Sequence, residues 1–158
     1  MRVSDAQDMF DNWASDPEVA KYLSWSPHES VEVTKQLLTL WEKQIDDPGV
    51  IRFGIVHKED RKVIGTIDIV RYIEGQPEIG YCLSRAYWRQ GIMTEAATAV
   101  INRLKILGFT KVYISAAEAN IASNKTIQKL GLKFVDQTFR YVQKVNDYVP
   151  TNNYVKNL

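Results

Sequence analysis

Apolar residues recur along this chain at two spacings, and the switches between them mark out its elements. Ser4 with Gln7 reads as a capping box that opens a short helix through Phe10 and Trp13. Asp16-Pro17 opens another, carrying Val19, Ala20, Tyr22 and Leu23. From Ser30 to Ile45, Val33, Leu37, Leu40, Trp41 and Ile45 follow a helical period, and Asp46-Asp47-Pro48-Gly49 stops it. The period then drops to two. Ile51, Phe53 and Ile55 share one face of a strand from Ile51 to His57, and Val63 to Tyr72 is a second, β-branched strand beyond the polar turn Lys58–Arg61. Glu74-Gly75-Gln76-Pro77 turns the chain into a third strand, Glu78 to Ser84.

A helical period returns from Thr94 to Leu107, through Ala96, Val100, Ile101 and Leu104, and Gly108 closes it. Lys111 to Ala116 is a strand, and Ser123 to Leu130 is a helix closed by Gly131. Lys133 to Val145 pairs with Val149 to Val155 around Asn146-Asp147. Helices, three meander strands, helix–strand–helix and a hairpin make an α+β fold with a mixed sheet. No repeat, low-complexity tract or linker interrupts it, so residues 1–158 are expected to form a single domain. Trp13, Trp41, Phe53 and Tyr22 read as core.

Charge and composition narrow the function. Twenty basic residues against nineteen acidic leave +1, so no global field draws nucleic acid or an anionic membrane. No apolar stretch reaches the ~20 residues of a membrane span, and the N-terminus is unlike a signal peptide. A cytoplasmic protein is the expectation. Cys82 is the one cysteine, which excludes an intramolecular disulfide and thiol-rich metal sites. In mid-strand it reads as a small buried hydrophobe. His28 and His57 stand without partners at ligand spacing, so no metal is expected.

The run Trp88-Arg89-Gln90-Gly91-Ile92-Met93-Thr94-Glu95-Ala96 joins a strand's end to a helix's first turn. The first N–H groups of a helix lack intrahelical partners and carry the positive end of its dipole, so such a turn suits a phosphate. Glu95 there reads as a complement to the dipole. Asn120 and Ser123 read as caps of the next helix.

Three blocks in this order resemble the GCN5-related N-acetyltransferase (GNAT) family over nearly the full length. They are Pro77-Glu78-Ile79-Gly80-Tyr81-Cys82-Leu83-Ser84, the run Trp88–Ala96, and Asn120-Ile121-Ala122-Ser123-Asn124-Lys125 leading to Lys129-Leu130-Gly131-Leu132-Lys133-Phe134. The match is nearest to the branch that acetylates ribosomal-protein N-termini. The resemblance implies a central, mostly antiparallel sheet splayed at the cofactor site and flanked by about four helices.

It implies acetyl-coenzyme A as cosubstrate, with its pyrophosphate on the glycine turn and its pantetheine arm between the strands of Glu78–Ser84 and Lys111–Ala116. Cofactor contacts are expected at Leu83, Ser84, Arg89, Gln90, Gly91, Ile92, Met93, Thr94, Asn120, Ser123 and Asn124. Trp88 and Met93 depart from the family pattern, which has Gln or Arg and Gly or Ala there, so backbone rather than side chains is expected to hold the diphosphate.

Glu78 is the implied general base, with a carboxyl pKa raised by Ile79 and Tyr81 to suit that task; the plainer reading is a solvated strand-end carboxylate. Ser123 is the implied proton donor to the departing thiolate, with Tyr113, Tyr141 and Tyr154 as rivals. A backbone N–H around Leu83 would meet the oxyanion. Trp25 and His28 lie in a loop that borders the acceptor in this family.

Together these imply direct acetyl transfer to a primary amine in a ternary complex, preferably a protein N-terminal α-amine. The alternatives are a small-molecule amine, such as a polyamine or an antibiotic, and a catalytically silent acyl-coenzyme A binding module. Before the first helix the family has an edge strand for which Met1-Arg2-Val3 is barely long enough. Its absence would bare the edge at Ile51–His57 and leaves room for a homodimer.

Overall fold

The backbone of the computed structural model is described for residues 1–47 and 49–158. Among these, five α-helices and six strands follow in the order α1 (Ala6–Met9), α2 (Pro17–Ala20), α3 (Val31–Glu42), β1 (Arg52–His57), β2 (Lys62–Ile73), β3 (Gln76–Leu83), α4 (Ile92–Ile106), β4 (Lys111–Ala117), α5 (Ile121–Lys129), β5 (Lys133–Val142) and β6 (Asp147–Asn157). The sheet order is β1-β2-β3-β4-β6-β5. β1/β2, β4/β6 and β5/β6 are antiparallel, whereas β3 and β4 run parallel with Glu78 opposite Tyr113. The mixed, mostly antiparallel sheet is as expected. The fifth helix arises because α1 and α2 are separate single turns.

The chain divides into two compact units, Met1–Asp68 with Tyr81–Gln90, and Ile69–Gly80 with Gly91–Leu158. In the first unit the helical start differs from the expected capping box. The Arg2 N–H donates to Asp5 Oδ2 at 2.8 Å, while Gln7 spends its amide on the Asp11 carboxylate one turn on, at 3.0 Å. An ionised carboxylate is the stronger acceptor for a backbone N–H, which favours Asp5 in this role. A π-helical turn at Phe10–Ala14 follows α1 and delivers Trp13 to the core with Met9, Ala14 and Leu38. Asp16 caps α2 as expected, accepting from the Glu18 N–H at 2.9 Å.

The buried stripe of α3 also differs. Thr34 and Leu38 face inward with Val31, Leu37 and Trp41 beside them, while Val33 and Leu40 are exposed. A polar Thr34 disguises the period; its hydroxyl lies 2.7 Å from His28 Nδ1, which lets it sit in the core. The helix ends at Glu42, so Ile45 falls beyond it; of the expected stop, Pro48 lies outside the described residues. Trp13 and Trp41 pack as core, whereas Tyr22 and Phe53 do not. Phe53 is 43% exposed because β1 is the last strand of the sheet. Residues 3–5 form a 3-10 turn, and β1 is the first strand in the chain.

In the same unit, β2 and β3 approach unusually closely. A Cβ on Gly65 would lie 2.4 Å from the Cys82 carbonyl oxygen, so only glycine fits there. Cys82 itself is half-buried; desolvation, the largest influence, pushes its thiol up to about 11, and Thr66 Oγ1 lies 3.3 Å from its sulfur.

In the second unit α4 buries Met93, Ala97, Val100, Ile101 and Leu104 along one face. β4 alternates buried Val112, Ile114 and Ala116 with half-buried Tyr113 and Ser115. Its register with β6 sets Ile114 opposite Tyr154 and Ser115 opposite Asn153. One face of these strands is thereby apolar and the other polar.

Candidate active site

The polar face of the second unit gathers around Glu78. This carboxylate is 2% exposed, yet it belongs to no solvated strand end. Arg71 Nε on β2 binds Oε2, and Arg140 Nη1 on β5 binds Oε1 at 3.1 Å. Arg140 reaches the carboxylate along a polar row, its Nη2 donating to Ser115 Oγ and Asn153 Oδ1 at 2.8 Å each. Asn153 in turn donates to Asp136 Oδ1 at 2.8 Å.

Burial is the largest single influence on the Glu78 carboxyl and raises its pKa. The Ser115 hydroxyl and the two guanidinium groups together outweigh it and hold the carboxyl below the ordinary carboxylate value. The expectation of a raised pKa is overturned. Ile79 and Tyr81 were the neighbours visible in sequence; the groups that decide the charge come from β2, β4 and β5.

Arg71 and Arg140 were not singled out in the sequence. Their signal was weak: Asp136, Thr138 and Arg140 alternate along β5, a period that marks a polar face but names no partner.

The glycine turn has the expected backbone. Gly91 stands at the N-cap of α4 with φ +81°, no side chain caps the helix, and a Cβ there would meet nothing within 4 Å. The helix begins at Ile92, two residues earlier than its sequence period suggested, so Ile92, Met93 and Thr94 all lie in its first turn. Met93 turns its side chain into the core, which leaves its N–H side of the turn unobstructed by it. Arg89 also takes a left-handed conformation, at φ +63°, and Gln90 donates from its amide to the Ala86 carbonyl at 3.0 Å.

Trp88 has a task that sequence reading missed. Its indole N–H donates to the Leu83 carbonyl at 2.8 Å, tying the loop back to the end of β3. The Ser84 N–H is spent on the Ile64 carbonyl at 2.7 Å, so that backbone donor serves the sheet rather than a ligand.

In the Asn120 block the capping reading describes the geometry. Asn120 Oδ1 accepts from the Ser123 N–H at 3.1 Å, and α5 starts at Ile121 rather than Ser123. Ser123 is half-buried in the first turn.

Asn124 departs from its expected place among the cofactor contacts. Its Nδ2 donates to the Ala117 and Asn120 carbonyls at 2.9 and 2.8 Å, and its Oδ1 accepts from Asn152 Nδ2 and the Tyr154 hydroxyl at 3.0 and 2.7 Å. A buried amide with both ends so engaged is a structural tie. The same bond occupies Tyr154, and Tyr141 donates to Asn146 Oδ1 at 2.6 Å, so two of the rivals to Ser123 have other partners.

Trp25 and His28 come together in the first unit with ring centroids 5.8 Å apart. The His28 N–H donates to the Ala14 carbonyl at 2.8 Å, and burial lowers the ring's pKa. His57 is not solitary: its Nδ1 lies 2.8 Å from Asp60 Oδ2, which also accepts from the Tyr87 hydroxyl at 2.5 Å. Among the described residues no three His, Cys, Asp or Glu side chains gather as a metal site, and no helix is long and apolar enough to cross a membrane.

Residues 1–133 match the model of the acetyltransferase (GNAT) domain family. The uncharacterized N-acetyltransferase p20 of Bacillus licheniformis is 31% identical over 128 residues, covering 80% of this chain and 69% of that protein. Among solved structures, ribosomal-protein-S5-alanine acetyltransferase from Vibrio fischeri superposes with a TM-score of 0.77 at 21% identity, covering 99% of this chain and 90% of the other. Spermidine N-acetyltransferase from Vibrio cholerae, solved with CoA and spermine, superposes with a TM-score of 0.81 at 16% identity, covering 99% and 92%. At such identities the two structures speak for the fold alone, and their differing acceptors leave this chain's acceptor to be argued from its own residues.

Proposed function

This chain belongs to the acetyltransferase (GNAT) family, and from that premise we propose that it transfers acetyl from acetyl-coenzyme A to the α-amine of a peptide or protein N-terminus. The whole chain acts as one acetyltransferase domain. The observation that carries the cosubstrate is the open first turn of α4: an uncapped N-terminus behind Gly91, with Met93 turned inward. Backbone N–H groups of Gly91, Ile92, Met93 and Thr94, with the left-handed Arg89 and then Gln90 before them, suit a diphosphate. By resemblance to the family, contacts with the pantetheine arm are assigned to Leu83, Ser84 and Asn120, and proton donation to the departing sulfur to Ser123. Asn124 is left out of this set, because its amide is spent within the protein.

The neutral amine nitrogen attacks the thioester carbonyl carbon, the carbon–sulfur bond breaks, and Ser123 gives its hydroxyl proton to the departing thiolate while taking up the proton that the nitrogen sheds, so that the products are an amide and a free thiol. A backbone N–H near Leu83 meets the oxyanion. Trp25 and His28, the latter kept neutral by burial, border the acceptor.

The state of Glu78 favours an α-amine acceptor. Only a neutral amine attacks, and an α-amine titrates near ~8, so about a tenth of it is neutral at pH 7 without help. A lysine or polyamine amine near ~10.4 would need a strong base. Glu78 is ionised, but its oxygens are held by two guanidinium groups and its basicity is lowered. It serves as an anchor for those groups more than as a proton acceptor.

The test is release of free thiol from acetyl-coenzyme A in the presence of peptides with free N-termini, spermidine and an aminoglycoside. Release with peptides supports the reading, release with spermidine alone would replace the acceptor, and binding without release on any amine would make the chain a silent module.

Gly91→Ala gives a second check. An L-residue in the left-handed region costs about 1–2 kcal/mol, so the turn relaxes and the Kd for coenzyme A rises by about tenfold. An unchanged Kd in a calorimetric titration would place the diphosphate elsewhere.

A further inference from the structure

We infer that Arg71 selects acceptors by charge, and that the preferred acceptor peptide carries an acidic residue next to its N-terminal α-amine. This rests on the α-amine reading above and deepens it. Every residue concerned belongs to the second unit.

Along the polar face the row runs from Arg71 on β2 through Glu78 on β3, Ser115 on β4 and Asn153 on β6 to Arg140 and Asp136 on β5. Glu78 is fully buried and carries one negative charge between two guanidinium groups. Arg140 is the committed partner: Nη1 goes to Glu78, Nη2 to Ser115 and Asn153, and the side chain is 33% exposed. Arg71 gives Glu78 its Nε and remains 52% exposed.

A guanidinium held through Nε presents its Nη pair as a fork suited to a second carboxylate. Glu78 divides its single charge between the two guanidinium groups, so the charge of the half-exposed Arg71 is only partly matched. The remaining acidic group of the row, Asp136, stands at its far end, joined to Arg140 through Asn153.

This arrangement has two consequences for an acceptor at Glu78. A buried carboxylate fixes Arg71 in place, so little side-chain freedom is lost when an anion docks on it. A nearby fixed cation also disfavours the protonated form of the attacking amine and repels acceptors with several positive charges. An acidic residue beside the α-amine satisfies Arg71, whereas a polyamine confronts it with like charge. Glu78 is thus a positioning residue for the reader, and Arg71 the reader.

The experiment compares two peptides that differ only in having Asp or Asn as second residue, with thiol release read as kcat/KM for wild type, Arg71→Gln and Arg71→Lys. A half-exposed charge pair predicts a wild-type preference for Asp of about fivefold at low salt, shrinking at ~0.5 M salt. In Arg71→Gln the ratio is expected to fall to about one, and Arg71→Lys to keep part of it. A ratio is insensitive to partial unfolding of a variant, and the wild-type comparison needs no variant. Equal efficiency on the two peptides in wild type, or an undiminished preference in Arg71→Gln, would overturn the inference while leaving the α-amine reading intact. Turnover of spermidine with neither peptide would overturn both.

Discussion

Glu78→Gln is expected to lower the free energy of unfolding by about 2 kcal/mol in urea titrations, and to slow acetyl transfer while the affinity for acetyl-coenzyme A stays within about twofold. The substitution keeps the shape of a side chain that is fully buried and removes the charge that two guanidinium groups share. Breaking a fully buried ion pair costs about 3–5 kcal/mol; here the arginines reach water and recover part of that.

The pH dependence follows from the lowered carboxyl pKa. Between the native value and the ordinary ~4.3 of a free glutamate, the unfolded state binds more protons than the native state. The stability that Glu78 contributes is therefore present above ~4.3 and is lost as pH falls through the native value. The gap between wild type and Glu78→Gln should be widest near neutrality and close under acid. A gap that stayed constant down to pH ~3 would contradict the ion-pair account.

Asn124→Leu is expected to be costlier, about 3 kcal/mol, which for a chain of this size lowers the melting midpoint by roughly 8 °C. The amide ties α5 to the carbonyls of Ala117 and Asn120 and to Asn152 and the Tyr154 hydroxyl on β6. Leucine matches the volume but leaves the buried tyrosine hydroxyl without its acceptor and the carbonyls without their donor; each such group costs about 1–3 kcal/mol when water cannot replace the partner. Thermal unfolding followed by circular dichroism reads the effect. A midpoint within a degree or two of wild type would show that the network is dispensable.

These two residues also mark how far the sequence could be read. Helix and strand existence was legible where, as in α4 and β4, the element buries an unmixed apolar face whose period survives in the sequence. The stripe of α3 was misread where a threonine sits in the core, since only its tertiary partner His28 makes Thr34 buriable. Phe53 is apolar on a strand whose position at the end of the sheet no local pattern reveals.

The same division runs through the site. Gly91 was readable because the conformational demand is local, and Met93 pointing inward agrees with a turn that holds by backbone. Glu78 was found, but its carboxyl is held below the ordinary value rather than raised, by Ser115, Arg71 and Arg140, which the sequence does not place beside it. Asn124 sat inside a recognisable block, yet its amide is consumed by α5 and β6. Position is legible in a motif, whereas charge state and availability depend on partners that only the fold supplies.

The most direct measurement offers the protein acetyl-coenzyme A and a peptide that has both a free N-terminus and an internal lysine, and locates the acetyl group by tandem mass spectrometry. Acetyl on the α-amine, with one equivalent of free thiol released for each peptide modified, is the predicted result. Acetyl on the lysine, or thiol release that occurs with spermidine and never with the peptide, would contradict the account.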